Sequence, residues 1–141
     1  MTGSAEQVQG AIPVTRVLLV EDDAVLRSLI EEYFERVGYR VVGAADGAEG
    51  LRLALAEDFD LIICDLILPK LAGDRLCTQL LEQRPELVNR IVVATGDSLT
   101  PEATQFLQRT GLACIRKPFG LGELTDMIRE RVKRNEAGGT T

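Results

Sequence analysis

The chain has 141 residues, a length suited to one domain with a core of its own. Hydrophobic residues make up 45% and charged residues 27%, and no apolar run approaches the ~20 residues of a membrane span, which reads as a soluble, cytoplasmic protein. Lys and Arg number 16 against 22 Asp and Glu, a net charge of −6 with no basic tract to track a phosphate backbone, so the sequence argues against direct DNA or RNA binding.

Residues 1–14 have neither the basic start nor the apolar stretch of a signal peptide and read as a flexible leader or linker. Arg16 to Val20 is then a continuous apolar run, suited to a strand covered on both faces. Leu26, Leu29, Ile30, Tyr33, Phe34 and Val37 recur at helical spacing, and Gly38 is placed to end that helix. A short strand through Val41 and Val42 follows, then a helix expected to turn Ala48, Leu51 and Leu55 inward. Leu61 to Cys64 reads as the third strand, and a looser helix through Leu76 and Leu80 stops before Pro85. Ile91 to Ala94 is the fourth strand. Thr100 is a good N-cap, with Pro101 at the first helical position and Phe106 and Leu107 facing inward. Leu112 to Ile115 makes the fifth strand, and Leu121, Leu124, Ile128 and Val132 stripe the last helix. Its Arg129, Arg131, Lys133 and Arg134 read as a solvated basic end that complements the helix dipole. Residues 135–141 read as a disordered polar tail, leaving a domain over 15–134. Strand and helix alternating through short connections give a doubly wound α/β fold with a parallel five-stranded sheet and helices on both faces.

The chemistry collects at strand ends. Glu21, Asp22 and Asp23 follow the first strand, Asp65 the third, Thr95 the fourth and Lys117 the fifth. In an open parallel sheet all strand C-termini share one edge, so these groups converge in one crevice. Two carboxylates ~4 Å apart repel by about 4 kcal/mol at an effective dielectric near 20. A hard divalent cation relieves that repulsion, since Mg²⁺ takes carboxylate oxygens while keeping water and phosphate oxygens as its other ligands. Taken singly, each residue has a plainer role as a helix cap, a turn residue or a solvated charge; their joint placement is what points to phosphoryl transfer. No GxxxxGK[ST], GxGxxG or GxSxG motif competes. The absence of histidine excludes Ser-His-Asp and Cys-His catalysis and most transition-metal sites. Cys64, Cys77 and Cys114 are odd in number, lack CxxC spacing and read as buried small hydrophobes in a reducing compartment.

VLLVEDD, LIICDLILPKLAG, VVATGD and KPF together resemble the receiver domain of bacterial two-component response regulators, from about Arg16 to Arg134. The resemblance implies a flavodoxin-like sheet of order 2-1-3-4-5. It makes Asp65 the phosphoacceptor, Asp22 a direct ligand of Mg²⁺ (or Mn²⁺), Glu21 a ligand mainly through water, and the backbone carbonyl of Ile67 a further ligand. Thr95 and Lys117 become the hydroxyl and ammonium that contact phosphoryl oxygens, with a cis Lys117–Pro118 peptide. Such a domain is not an enzyme toward other molecules; it catalyses its own phosphorylation and dephosphorylation. Having no histidine, it would draw on a partner histidine kinase or histidine phosphotransfer protein, and a weak dimer is compatible with the family.

TGDSLTPEATQFLQRTG with KPF is also similar to receivers at the C-terminal end of hybrid sensor histidine kinases, so a free-standing regulator and a hybrid-kinase receiver both stay open. A second class is a pseudo-receiver, which uses the same surface unphosphorylated for protein contact. A phosphoaspartyl hydrolase would want a second carboxylate two residues after the nucleophile, where Ile67 stands. Two departures from the family matter. Cys114 occupies the position three before the lysine that usually carries a switching aromatic, and apolar Ile67 stands where many members have a polar residue that orients attacking water, which implies a longer-lived phosphoryl group.

Overall fold

A computed structural model of the chain describes residues 14–96 and 100–139. Five parallel strands, β1 (Arg16–Val20), β2 (Arg40–Ala44), β3 (Leu61–Asp65), β4 (Ile91–Thr95) and β5 (Ala113–Arg116), form one sheet in the order 2-1-3-4-5. Five helices connect and follow them: α1 (Ala24–Arg36), α2 (Gly47–Ala56), α3 (Gly73–Gln83), α4 (Pro101–Thr110) and α5 (Leu121–Gly139). The expected flavodoxin-like α/β fold is therefore the one observed. A 3-10 turn over Pro85–Arg90, which the sequence reading left as a connection, leads into β4.

The unbroken apolar runs in the strands follow from coverage on both faces. Along β1, Val17 and Leu19 pack with Ile30 and Phe34 of α1 and with Leu124 and Ile128 of α5, while Leu18 and Val20 pack on the other face with Leu53, Leu76, Leu80 and Phe106 of α2, α3 and α4. β3 repeats the alternation, with Leu61 and Ile63 on the α1/α5 side and Ile62 and Cys64 opposite. Each large side chain buried this way contributes roughly 1.5–3 kcal/mol against exposure.

α1 begins where Asp23 accepts from the N–H groups of Val25 and Leu26, and it ends before Gly38 at φ +103°, the left-handed backbone glycine tolerates. Thr100 caps α4 by accepting from the Ala103 N–H, as its place before Pro101 implies.

Several local expectations are corrected. On α1, Leu29 and Val37 are exposed while Ile30 and Phe34 carry the buried stripe. The buried face of α2 is Gly47, Gly50, Leu53 and Ala54, with Ala48 and Leu55 outside and Leu51 half-buried. The reason is proximity: a Cβ on Gly50 would stand 2.8 Å from a Val20 methyl, so small residues let the helix lie on the sheet. The tail expected over 135–141 is overturned for 135–139, where α5 continues to Gly139, because Asn135, Glu136 and Ala137 carry no helix-breaking feature before the glycine pair. The basic residues consequently sit mid-helix, not in its last turn. Arg131 is partly buried, with its Nε enclosed and unpaired and its Nη2 donating to the Asn89 carbonyl at 3.4 Å. Apart from exposed Val14, the leader expected over 1–14 lies outside the described residues, as do residues 97–99 and 140–141.

Candidate functional site

Strand order decides which residues meet. β3 is central with β1 and β4 beside it, and β2 and β5 are the two edge strands, of which only β5 is followed by one of the chosen residues. β3 and β4 run one residue further than expected, so Asp65 and Thr95 are the last residues of their strands, held by the ladder. Asp65 is 7% exposed and Thr95 2%.

Glu21, Asp22 and Asp65 each offer a carboxylate oxygen within 4.8 Å of the others. Their settings differ. Glu21 is 3% exposed, and both of its oxygens are engaged: Oε1 accepts from Lys117 Nζ at 2.9 Å and Oε2 from the Asp23 N–H at 3.0 Å. Asp22 is exposed. Asp65 Oδ2 accepts from Lys117 Nζ at 2.6 Å, and its Oδ1 accepts from the Ile67 N–H at 3.1 Å. One ammonium thus bridges two nearly enclosed carboxylates. Burial by itself pushes the Lys117 ammonium toward losing its proton, but the hydrogen bonds and charges of Asp65 and Glu21 outweigh it and leave its pKa above the ordinary lysine value. Lys117 reaches this position from a β5 end fixed by its own N–H donating to the Thr95 carbonyl, and its bond to Pro118 is cis, as the resemblance implied.

The loop after Asp65 is shaped by close backbone approach. A Cβ on Gly73 would lie 2.1 Å from the Asp65 carbonyl oxygen, so only glycine fits where α3 begins against the Asp65 backbone; the Gly73 N–H donates to the Leu66 carbonyl there. Within this loop Lys70 has φ +69° and Ile67 is 78% exposed. Beside it a cavity of about 180 Å³ opens between Leu66, Ile67 and Asp74 on one side and Thr95, Gly96 and Ala103 on the other. Among the described residues, nothing lies within 4 Å of where a Gly96 side chain would begin.

Glu21, Asp22, Asp65 and Lys117 meet in the Lys117 network or the acidic cluster, and Ile67 joins it through its N–H rather than its carbonyl; the Thr95 hydroxyl pairs instead with Cys114 Sγ at 3.7 Å. Two supporting residues escaped sequence reading. Arg27 sends Nη1 to the Glu21 carbonyl at 2.7 Å, and the Cys64 thiol donates to the Asp65 carbonyl at 3.3 Å. An arginine that donates to a backbone carbonyl six residues away has no distinctive spacing. Cys64 was legible only as core.

A doubly wound sheet whose central strand ends in a carboxylate, with two more acidic groups and a lysine gathered on it, defines the receiver class. The response regulator receiver domain family matches residues 17–129, and the chain belongs to that family, a receiver of two-component signal transduction. Among relatives, the transcriptional activator protein PfeR of Pseudomonas aeruginosa is 36% identical over 126 residues, covering 87% of this chain and 40% of its own length. The transcriptional regulatory protein PdtaR of Mycobacterium tuberculosis is 32% identical over 135 residues, covering 95% of this chain and 64% of the relative. The chain thus spans about half the length of the curated relatives it matches. Among solved structures, a CheY-like receiver domain protein from Methanospirillum hungatei JF-1 superposes with a TM-score of 0.81 at 29% identity, over 89% of this chain and 99% of that one. The receiver domain of a signal transduction histidine kinase from Syntrophus aciditrophicus superposes with a TM-score of 0.75 at 25% identity, over 85% and 91% of the two chains. Among the described residues no helix is long and apolar enough to cross a membrane.

Proposed function

We propose that Asp65 takes a phosphoryl group from a phosphohistidine on a partner, a histidine kinase or a histidine phosphotransfer protein. The observation that carries this reading is the Lys117 ammonium 2.6 Å from Asp65 Oδ2 inside the cluster of Glu21, Asp22 and Asp65. An Asp65 carboxylate oxygen forms the new bond to phosphorus while the bond from phosphorus to the partner's imidazole nitrogen breaks, and that nitrogen leaves with the electron pair. Charge in such a transfer spreads over three equatorial oxygens, so positioned cations and donors are what lower the barrier. Lys117 supplies a positive charge already in contact with the acceptor, and the Thr95 hydroxyl on the neighbouring strand supplies a donor for a second oxygen.

The donor set suits Mg²⁺ or Mn²⁺: three carboxylates with mutually close oxygens and no soft ligand among them. Asp22 and Asp65 would hold the ion with the Ile67 backbone carbonyl, and Glu21, both of whose oxygens are already hydrogen-bonded, would act mainly through water. When bound, the ion offsets the carboxylate charge and takes one phosphoryl oxygen. Because the Ile67 side chain has no polar group to orient water, loss of the phosphoryl group should be slow. The chain serves as a free-standing regulator, as the receiver of a longer regulator like its curated relatives, or within a histidine kinase, the setting of one solved neighbour; in the latter two cases any nucleic-acid binding would belong to another part of that protein.

Mixing the protein with a histidine phosphotransfer protein carrying a radiolabelled phosphoryl group tests the reading. Label should pass to this chain in Mg²⁺ and not in EDTA. A chain that stays unlabelled while other receivers accept from the same donor would favour the pseudo-receiver reading.

A further inference from the structure

The geometry points to Cys114 as a latch that holds the Thr95 hydroxyl away from Asp65, a positioning role that rests on the phosphoacceptor reading above. Thr95 and Cys114 lie on adjacent strands, where Val93 is paired with Cys114 and Thr95 with Arg116, so the two side chains are same-face diagonal neighbours. Ile91 and Val93, which alternate into phase with Thr95, pack on the side of the sheet covered by α2, α3 and α4. Leu61 and Ile63, in phase with Asp65, pack on the α1/α5 side. The Thr95 hydroxyl, on a residue 2% exposed, is 3.7 Å from Cys114 Sγ, and the thiol has a further weak contact to the Ile115 carbonyl at 3.9 Å.

A hydroxyl has one proton to donate, and a thiol is a weak but usable partner. Either atom of the pair can be the donor, and on either assignment Thr95, whose side chain lies on the opposite face of the sheet from Asp65, has to turn from the sulfur to donate to a phosphoryl oxygen there, so the contact stabilises the arrangement without the phosphoryl group and opposes capture. A contact made in one state only shifts the equilibrium by its own differential free energy. A phenylalanine ring here would offer the hydroxyl neither sulfur nor oxygen. The small thiol exchanges a switch based on burial of a ring for one based on a hydrogen bond.

Beryllofluoride, a mimic of the phosphoryl group, tests this when titrated in Mg²⁺ against wild type, Cys114→Ala, Cys114→Val and Cys114→Ser. A net hydrogen bond's worth of opposition predicts affinity about two- to tenfold tighter in the Ala and Val variants, with Ser, which keeps a donor and acceptor, close to wild type. In a Thr95→Val background the change at 114 should no longer matter, the signature of a pairwise interaction. A packing role alone predicts the reverse grouping, with Val like wild type and Ser like Ala, and that pattern would overturn the latch. So would an Ala effect that persists without the Thr95 hydroxyl. Wild-type protein that binds no beryllofluoride would bring down the phosphoacceptor reading and the latch with it, whereas normal binding with identical affinities in all variants brings down the latch alone.

Discussion

Lys117 Nζ lies 2.6 Å from Asp65 Oδ2 and 2.9 Å from Glu21 Oε1, joining residues 52 and 96 positions apart in the chain. The ammonium ties the ends of β1, β3 and β5 together through side chains. It neutralises charge where a further negative group would arrive.

Separate defects should follow from separate roles. Lys117→Ala should slow phosphorylation of Asp65 by about 10²–10³-fold, the usual loss when one preorganised charge or donor is removed, while Mg²⁺ affinity is not weakened. Asp22→Asn should weaken Mg²⁺ binding, because it removes a hard anionic oxygen. Fluorescence or calorimetric titration with Mg²⁺ and a phosphorylation time course read the two effects independently; equal loss of Mg²⁺ affinity in both variants would mean that the roles are misassigned.

The raised pKa of Lys117 has a consequence for stability. A group whose folded pKa exceeds its unfolded value contributes stability that is fully present below the unfolded pKa and is lost as pH rises through the folded one. The stability advantage of wild type over Lys117→Met should therefore be constant through neutral pH and shrink above the ordinary lysine value of 10.5. Urea unfolding across that range measures it. An advantage that stayed unchanged as the pH rose well past that value would contradict the pairing.

Gly73→Ala should destabilise the fold by roughly 1–3 kcal/mol, the usual cost of forcing atoms into a packed site, since the new methyl would meet the Asp65 carbonyl. Gly96→Ala, whose methyl would meet nothing within 4 Å among the described residues, should change stability little. Parallel urea midpoints check the contrast.

These glycines show where sequence reading stops. The sheet was legible because five apolar runs, each ending at a polar residue, admit few arrangements once parallel crossovers are assumed. Glu21, Asp22, Asp65 and Lys117 were legible as a set because a parallel sheet sends all its strand ends to one edge. That Glu21 is nearly enclosed while Asp22 is exposed follows from the Asp23 N–H and the Arg27 guanidinium folding back on Glu21, contacts no periodicity announces. The α2 face was misread because Gly50 supplies its contact by lacking a side chain, which a hydrophobic count overlooks. The continuation of α5 through Asn135 was hidden by polarity: a helix can run past its last apolar residue when nothing breaks it.

Arg131 offers a test of how that helix packs. Its guanidinium is pushed toward a lower pKa by burial first and by the Arg134 charge second, and its Nε is enclosed without a partner. Arg131→Met, which keeps the stem and removes the enclosed charge, should be neutral or stabilising by up to about 1 kcal/mol, as replacement of poorly compensated buried charge often is. Thermal unfolding reads the sign; a loss above that size would show that the contact to the Asn89 carbonyl matters more than desolvation.

The most direct test of the central claim is the intact mass after incubation with acetyl phosphate and Mg²⁺. The account predicts the gain of one phosphoryl group in the wild type, and none in Asp65→Asn or in EDTA. A phosphoryl group retained by Asp65→Asn, or gained equally without a divalent ion, would contradict it.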